Sequence, residues 1–181
     1  MLKIEIPLTP EVYDNDTQEF IEPEIQVLHL EHSLVSLSKW ESIWHRSFIS
    51  KQEMTTEESL SYIKCMTLTD NVDPEVYEHL TEENIIAVKQ YIDNPMTATV
   101  FYEDKNTKGG RETITSELIY YWMIALNIPF ECQDWHLNRL LTLIRVCNIK
   151  NAPPKKRSKR EIMSRNAALN AARKKQLNTK G

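Results

Sequence analysis

The stretch from Thr113 to Asn148 constrains this chain most: TITSELIYYWMIALN, followed by IPFECQD and WHLNRLLTLIRVCN. In its first part Leu118, Tyr121, Trp122 and Ala125 repeat at helical spacing, and Ile119, Met123 and Leu126 are apolar off that stripe. A helix apolar nearly all round is expected to be buried on more than one side. Thr115 is placed to cap its start, with Glu117 in the first turn where the helix dipole favours an anion. Asn127 suits the left-handed position past its end, and Pro129 blocks continuation. In the last part Leu137, Leu140, Leu141, Ile144 and Cys147 form one face, opposite Asn138, Arg139, Thr142 and Arg145, with Asn148 as the stop. The pattern predicts a helical hairpin on which the rest of the body packs. None of its side chains form a recognisable catalytic set.

Glycine is scarce, with three in 181 residues, and only Gly109 and Gly110 lie in the body. Phosphate-cradling loops need glycines so that backbone N–H groups can approach the anion. Neither the dinucleotide-binding nor the P-loop pattern is present, which argues against the common nucleotide-binding folds.

The net charge of −4 conceals a division. Residues 150–181 carry eleven Lys and Arg against one acidic residue, +10; residues 1–149 carry eleven against 25, −14; together −4. An acidic body of residues 1–150 is therefore expected to precede a basic, Ala-rich tail of residues 151–181. Cys65, Cys132 and Cys147 are an odd number without framework spacing, and the N-terminus lacks the pattern of a secretion signal, so reduced thiols in a cytoplasm are expected. No segment approaches the ~20 apolar residues of a membrane span.

Along the chain, Leu2, Ile4 and Ile6 alternate with Lys3 and Glu5, predicting a strand. After a polar loop, Ile25–Leu30 reads as its partner, with Gln26, Leu28 and Leu30 on one side. Leu34, Leu37, Trp40 and Trp44 predict a helix over His32–Arg46. Thr55 and Glu58 match a capping box, Asp73-Pro74 opens a short helix through Leu80, and Thr81 opens another with Ile85, Val88 and Ile92 inward. Thr97–Tyr102 is β-branched and aromatic and reads as a strand, with Arg111–Ile114 pairing back after a turn at residues 103–110. Past Pro153-Pro154, Ser158 and Glu161 form a second capping-box match before an Ala-rich helix. The expected fold is α+β and mainly helical: a small N-terminal β element, a helical bundle centred on Thr115–Asn148, and a basic helical or disordered tail.

Candidate sites are few. Cys132, His136 and Cys147 are zinc-ligand types, but zinc needs four ligands at ~2.0–2.3 Å, and Cys147 belongs to an apolar stripe. A Cys132 nucleophile paired with His136 is disfavoured by Glu131 beside it. His29-x-x-His32 sits where a strand meets a helix and lacks metalloprotease spacing. Glu57-Glu58 and Glu82-Glu83 lie in first helical turns, where dipole complementarity accounts for them. No enzyme, cofactor or metal is expected. Trp40, Trp44 and Trp135 are core residues by type, and any that reaches the surface marks a partner groove. In the tail, Lys155, Lys156, Arg157, Lys159, Arg160, Arg173, Lys174 and Lys175 suit nucleic-acid phosphates, an acidic protein surface, or simple solvation of a terminus. The tail lacks interleaved aromatics for base stacking.

Five stretches carry a family likeness: LEHSLVSLSKWES (Leu30–Ser42), YIKCMTLT (Tyr62–Thr69), MTATVF (Met96–Phe101), IYYWMIALNIPFECQDWHLNRLLTLIRVCN (Ile119–Asn148) and MSRNAALNAARKKQLNTKG (Met163–Gly181). Together they resemble the tail assembly chaperones of long-tailed, siphovirus-like bacteriophages. The likeness covers most of residues 30–181. It implies a non-enzymatic protein of the infected host's cytoplasm, absent from the mature virion. Its implied partner is the tape measure protein, around which tail tube subunits polymerise. A longer, frameshifted form of the chain is also implied. The runner-up function is a nucleic-acid-binding accessory protein acting through the basic tail.

Overall fold

The alternation at the N-terminus forms strand β1 (Leu2–Pro7), antiparallel to β4 (Ile25–Leu30), with Ile4 opposite Leu28 and Ile6 opposite Gln26. Ile4, Ile6, Leu28 and Leu30 are buried, so this ladder has one covered face. The computed structural model describes residues 1–9, 12–14, 19–21, 23–50, 53–101, 113–153 and 159–178, with backbone only at 12–14, 19–21 and 161. The segment read as a polar loop contains two short strands, β2 (Val12–Asp14) and β3 (Glu19–Ile21), paired antiparallel with each other. Three-residue strands are too short for alternation to reveal them.

The helices follow their caps. Ser33 and Ser36 form a reciprocal capping box at the start of α1 (Leu34–Trp44), and Thr55 and Glu58 do so at α2 (Thr56–Met66). Asp73 accepts from the Glu75 N–H and opens a 3-10 turn, Pro74–His79, rather than an α-helix. Thr81 and Asn84 cap α3 (Glu82–Asp93), and Thr115 caps α4 (Ser116–Ala125). A second 3-10 turn, Phe130–Asp134, leads to α5 (Leu137–Asn151), and α6 is Lys159–Leu177. The fold is α+β and mainly helical. The positions past the ends of α1, α4 and α6 that call for a left-handed backbone fall to His45, Asn127 and Asn178, with φ of 51°, 51° and 52°. Asparagine tolerates that region, whereas the imidazole-bearing His45 adopts it at a cost of ~1 kcal/mol.

Two hydrophobic clusters make the core. In the first, the covered face of the β1–β4 ladder meets Trp40, Tyr62, Met66, Val88 and Tyr91. In the second, Leu34 and Leu37 meet Ile119 and Met123 of α4 and Leu137, Leu140 and Ile144 of α5. Helix α1 supplies both, so it is the shared element, and the hairpin forms one wall instead of the centre.

Four local expectations are corrected. The buried side of α4 is Ser116, Ile119 and Met123, not the stripe through Tyr121 and Ala125. Residues 97–101 form no strand, and Val100 is exposed; β-branched residues favour strands only where a pleated neighbour covers them. Thr113 and Ile114 are not strand either, while Tyr102 and residues 103–112 lie outside the described residues. Helix α5 continues past Asn148 to Asn151, because an interior asparagine costs only ~0.7 kcal/mol and Pro153 is the first real breaker.

By its internal contacts the chain divides into two compact units, Met1–Asn148 and Ile149–Gly181. In the second, every described side chain of α6 is exposed.

Candidate functional site

Where β4 ends and α1 begins, Glu31, His32 and Ser33 run beside His136 at the start of α5. Ser33 and His136 form a single antiparallel bridge, and the Leu137 N–H donates to the His32 carbonyl at 2.7 Å. The buried His32 ring shares a hydrogen bond through Nδ1 with the Tyr62 hydroxyl and meets the His136 ring edge-on. His136 Nε2–H donates to the Tyr91 carbonyl at 2.9 Å, and its Nδ1 accepts from the Asn138 N–H at 3.3 Å. Those two bonds define a neutral imidazole with its proton on Nε2. Burial, reinforced by His136, holds His32 down to about 3, and burial also lowers His136. The Tyr91 hydroxyl donates to Glu31 at 2.8 Å; burial and that carboxylate raise its pKa. This polar junction ties four helices to the sheet. Both His136 nitrogens are committed to backbone groups, which leaves that imidazole no nitrogen for an incoming proton donor.

Two of the thiols are held towards their protonated form. Burial pushes Cys132 up, with Glu131 acting in the same direction, and burial raises Cys65. Among the described residues, no three His, Cys, Asp or Glu side chains converge as metal ligands. His29 lies on β4, with its Nδ1 buried and without a hydrogen-bond partner among the described residues.

The tryptophans singled out in the sequence take different places. Trp40 is fully buried and its indole N–H donates to the Glu58 carbonyl at 3.0 Å. A partner cannot reach that ring without opening the core, so Trp40 is the core residue its type implies and lines no docking surface. Trp44 is half-buried, stacked on Trp40 and donating to the Ser61 hydroxyl at 3.0 Å. Trp135 is half-buried beneath the Arg139 guanidinium, 4.1 Å from the ring centroid. The structure does not gather these three into one groove.

Among the described residues, two apolar surfaces stand out as open. The first is a groove of about 500 Å³ between α2 and α3, lined by the buried Tyr62, Ile63 and Val88 and by Phe48, Met54, Ile85 and Ile92. Glu53, Asp93 and Lys89 line it as well. The second is the outward side of α4. Tyr121 is 62% exposed and Ile124 60%, Ala125 is exposed beside them, and Phe130 on the following turn is 54% exposed. The Tyr120 ring lies 6.5 Å from that of Phe130, joining the turn to the helix. Tyr121 and Ala125 belong to the stripe expected to face inward, and both are exposed. The all-round apolarity of α4 was the available signal that a second apolar side exists.

No protein-family model, curated protein or solved structure matches the chain.

Of the tail cations, Lys159, Arg160, Arg173, Lys174 and Lys175 lie on α6 and are exposed, and Arg165 joins them. Lys155, Lys156 and Arg157 lie outside the described residues.

Proposed function

We propose that this chain is a non-enzymatic assembly chaperone of the long-tailed phage type, holding the tape measure protein by an apolar helix face. The observation that carries this reading is the uncovered side of α4, extended by Phe130. From Leu118 to Phe130 the sequence has no charged side chain. An amphipathic helical client has a matching stripe. Laying one on the other removes both from water at ~25 cal/mol per Å² of apolar surface. The resemblance of five long stretches supplies the client's identity, and the acidic balance of residues 1–149 keeps such a complex soluble. On this reading the protein works in the host bacterial cytoplasm, meets tail tube subunits and a longer form of itself, and leaves before the tail is finished. None of the described helices is long and apolar enough to cross a membrane.

The test is co-expression with the long helical protein of the same genome, followed by affinity capture and mass spectrometry. Stoichiometric capture by the wild-type chain, lost in the double variant Tyr121→Glu, Ile124→Glu, is the expected result. No capture by the wild type removes the function, and full capture by the double variant removes the face.

The exposed cations of α6 favour a second reading, a nucleic-acid-binding accessory protein. It requires affinity that falls with salt at a slope of about −0.9 per phosphate neutralised on duplex DNA. Absence of any DNA or RNA shift at low salt removes it.

A further inference from the structure

Helix α6 is nineteen residues long and none of its described side chains is buried. A solitary helix of that length is marginal in water and gains its stability by covering an apolar face. Ile162 and Leu169 are seven residues apart, so they share one side of α6, about 10.5 Å apart along its axis. At 100° per residue Arg165 and Arg173 flank that side. The remaining cations, Arg160, Lys174 and Lys175 with Lys159 at their edge, fall at the same spacing on the other side of α6, away from Ile162 and Leu169. A duplex bound along those four cations would leave Ile162 and Leu169 in water.

The groove between α2 and α3 has the complementary features. Ile85 and Ile92 of its lining are also seven residues apart, on α3. Two carboxylates, Glu53 and Asp93, line it against one ammonium, Lys89. The unit that carries it is strongly acidic, whereas α6 is basic. We propose that α6 of one copy docks in the α2–α3 groove of a second copy, with Ile162 and Leu169 entering between Ile85 and Ile92 and with Arg165 and Arg173 over Asp93 and Glu53. Every chain carries both halves of this contact, so reciprocal exchange closes a two-fold dimer. The inference uses a different surface from the α4 face and does not depend on the client.

Sedimentation velocity of the full-length chain across concentration and salt tests it. The wild type is expected to dimerise, less tightly as salt rises. I162E/L169E is expected to be monomeric. E53K/D93K and R165E/R173E, which alter exposed charges and spare the core, are each expected to weaken the dimer by about tenfold. An equimolar mixture of those two charge variants restores pairing, because the reversed charges again oppose each other. A wild type that is monomeric at all concentrations overturns the proposal, as does equal dimerisation of every variant. Slowed amide exchange in the α6 of a monomer, independent of concentration, assigns the helix to its own chain and also overturns it. Nuclease-sensitive association, with bound DNA or RNA lost in R165E/R173E, overturns it in favour of nucleic acid.

Discussion

The rings of His32 and His136 lie edge to face with centroids 5.0 Å apart, joining the start of α1 to the start of α5. Each is buried, and each is held uncharged by its surroundings. That pairing makes the body sensitive to acid.

Because folding depresses the pKa of His32 from the ordinary 6.5 to about 3, the unfolded chain binds a proton in that window which the folded chain does not. The associated stability is complete above pH 6.5 and is lost as pH falls towards 3, by about 1.4 kcal/mol per unit while the difference is one proton. His136 is also depressed and acts in the same direction. Urea unfolding at pH 7.5, 6.0 and 5.0 reads this slope. The variant His32→Gln should flatten it, and an unchanged slope in that variant would assign the acid sensitivity elsewhere.

Trp40 fills the first cluster with its indole N–H satisfied by the Glu58 carbonyl. Trp40→Ala should cost about 3–5 kcal/mol through the cavity it leaves. Trp40→Phe should cost less than that, since it loses the indole N–H bond but keeps most of the apolar volume. Denaturant midpoints of the two variants, with unchanged m-values, check the order.

The buried Glu41 carboxylate accepts from the Phe48 N–H at 3.0 Å and from the Ser116 N–H at 2.7 Å. It thereby holds the loop after α1 and the first turn of α4. Glu41→Gln replaces one acceptor by a donor facing an N–H, and should cost about 1–3 kcal/mol. A loss under half a kcal/mol would mean that α4 is positioned by its apolar contacts alone.

Tyr121 and Ile124 face away from both clusters, so Tyr121→Ser and Ile124→Ser should change stability by no more than about 0.5 kcal/mol. Thermal melts measure this. A larger loss in the isolated chain would show that the outward side of α4 is already covered.

Cys132 is buried and its thiol is pushed up. Labelling with a disulfide reagent at pH 8 should therefore leave it unmodified until urea unfolds the chain. Rapid modification in the folded protein would reopen the nucleophile that the sequence raised.

Apart from the end of α5, caps and breakers were legible in the sequence to within a residue or two. Thr55 with Glu58, Thr81, Thr115, and Asn127 before Pro129 act through their nearest neighbours, so position along the chain is enough to find them. The β1–β4 ladder was legible because alternation over six residues has one solution. Thr97–Phe101 misled because strand preference needs a neighbouring strand, and among the described residues none pairs with it. The candidate surfaces were less legible. Phe48 and Met54 come from outside any helix, and their meeting with Ile85 and Ile92 depends on how α2 and α3 approach each other.

The sequence alone determined which segments are helical, where they start, and that an acidic body precedes a basic helix, since hydrogen bonding over four residues and summed charge are local or additive quantities. The tertiary structure decided which side of α4 is covered. A helix apolar on every side gives its own sequence no preferred rotation. The rotation came from Glu41 holding the Ser116 N–H and from Leu34 and Leu37 of α1, which pack in one cluster with Ile119 and Met123 and leave Tyr121 and Ile124 exposed.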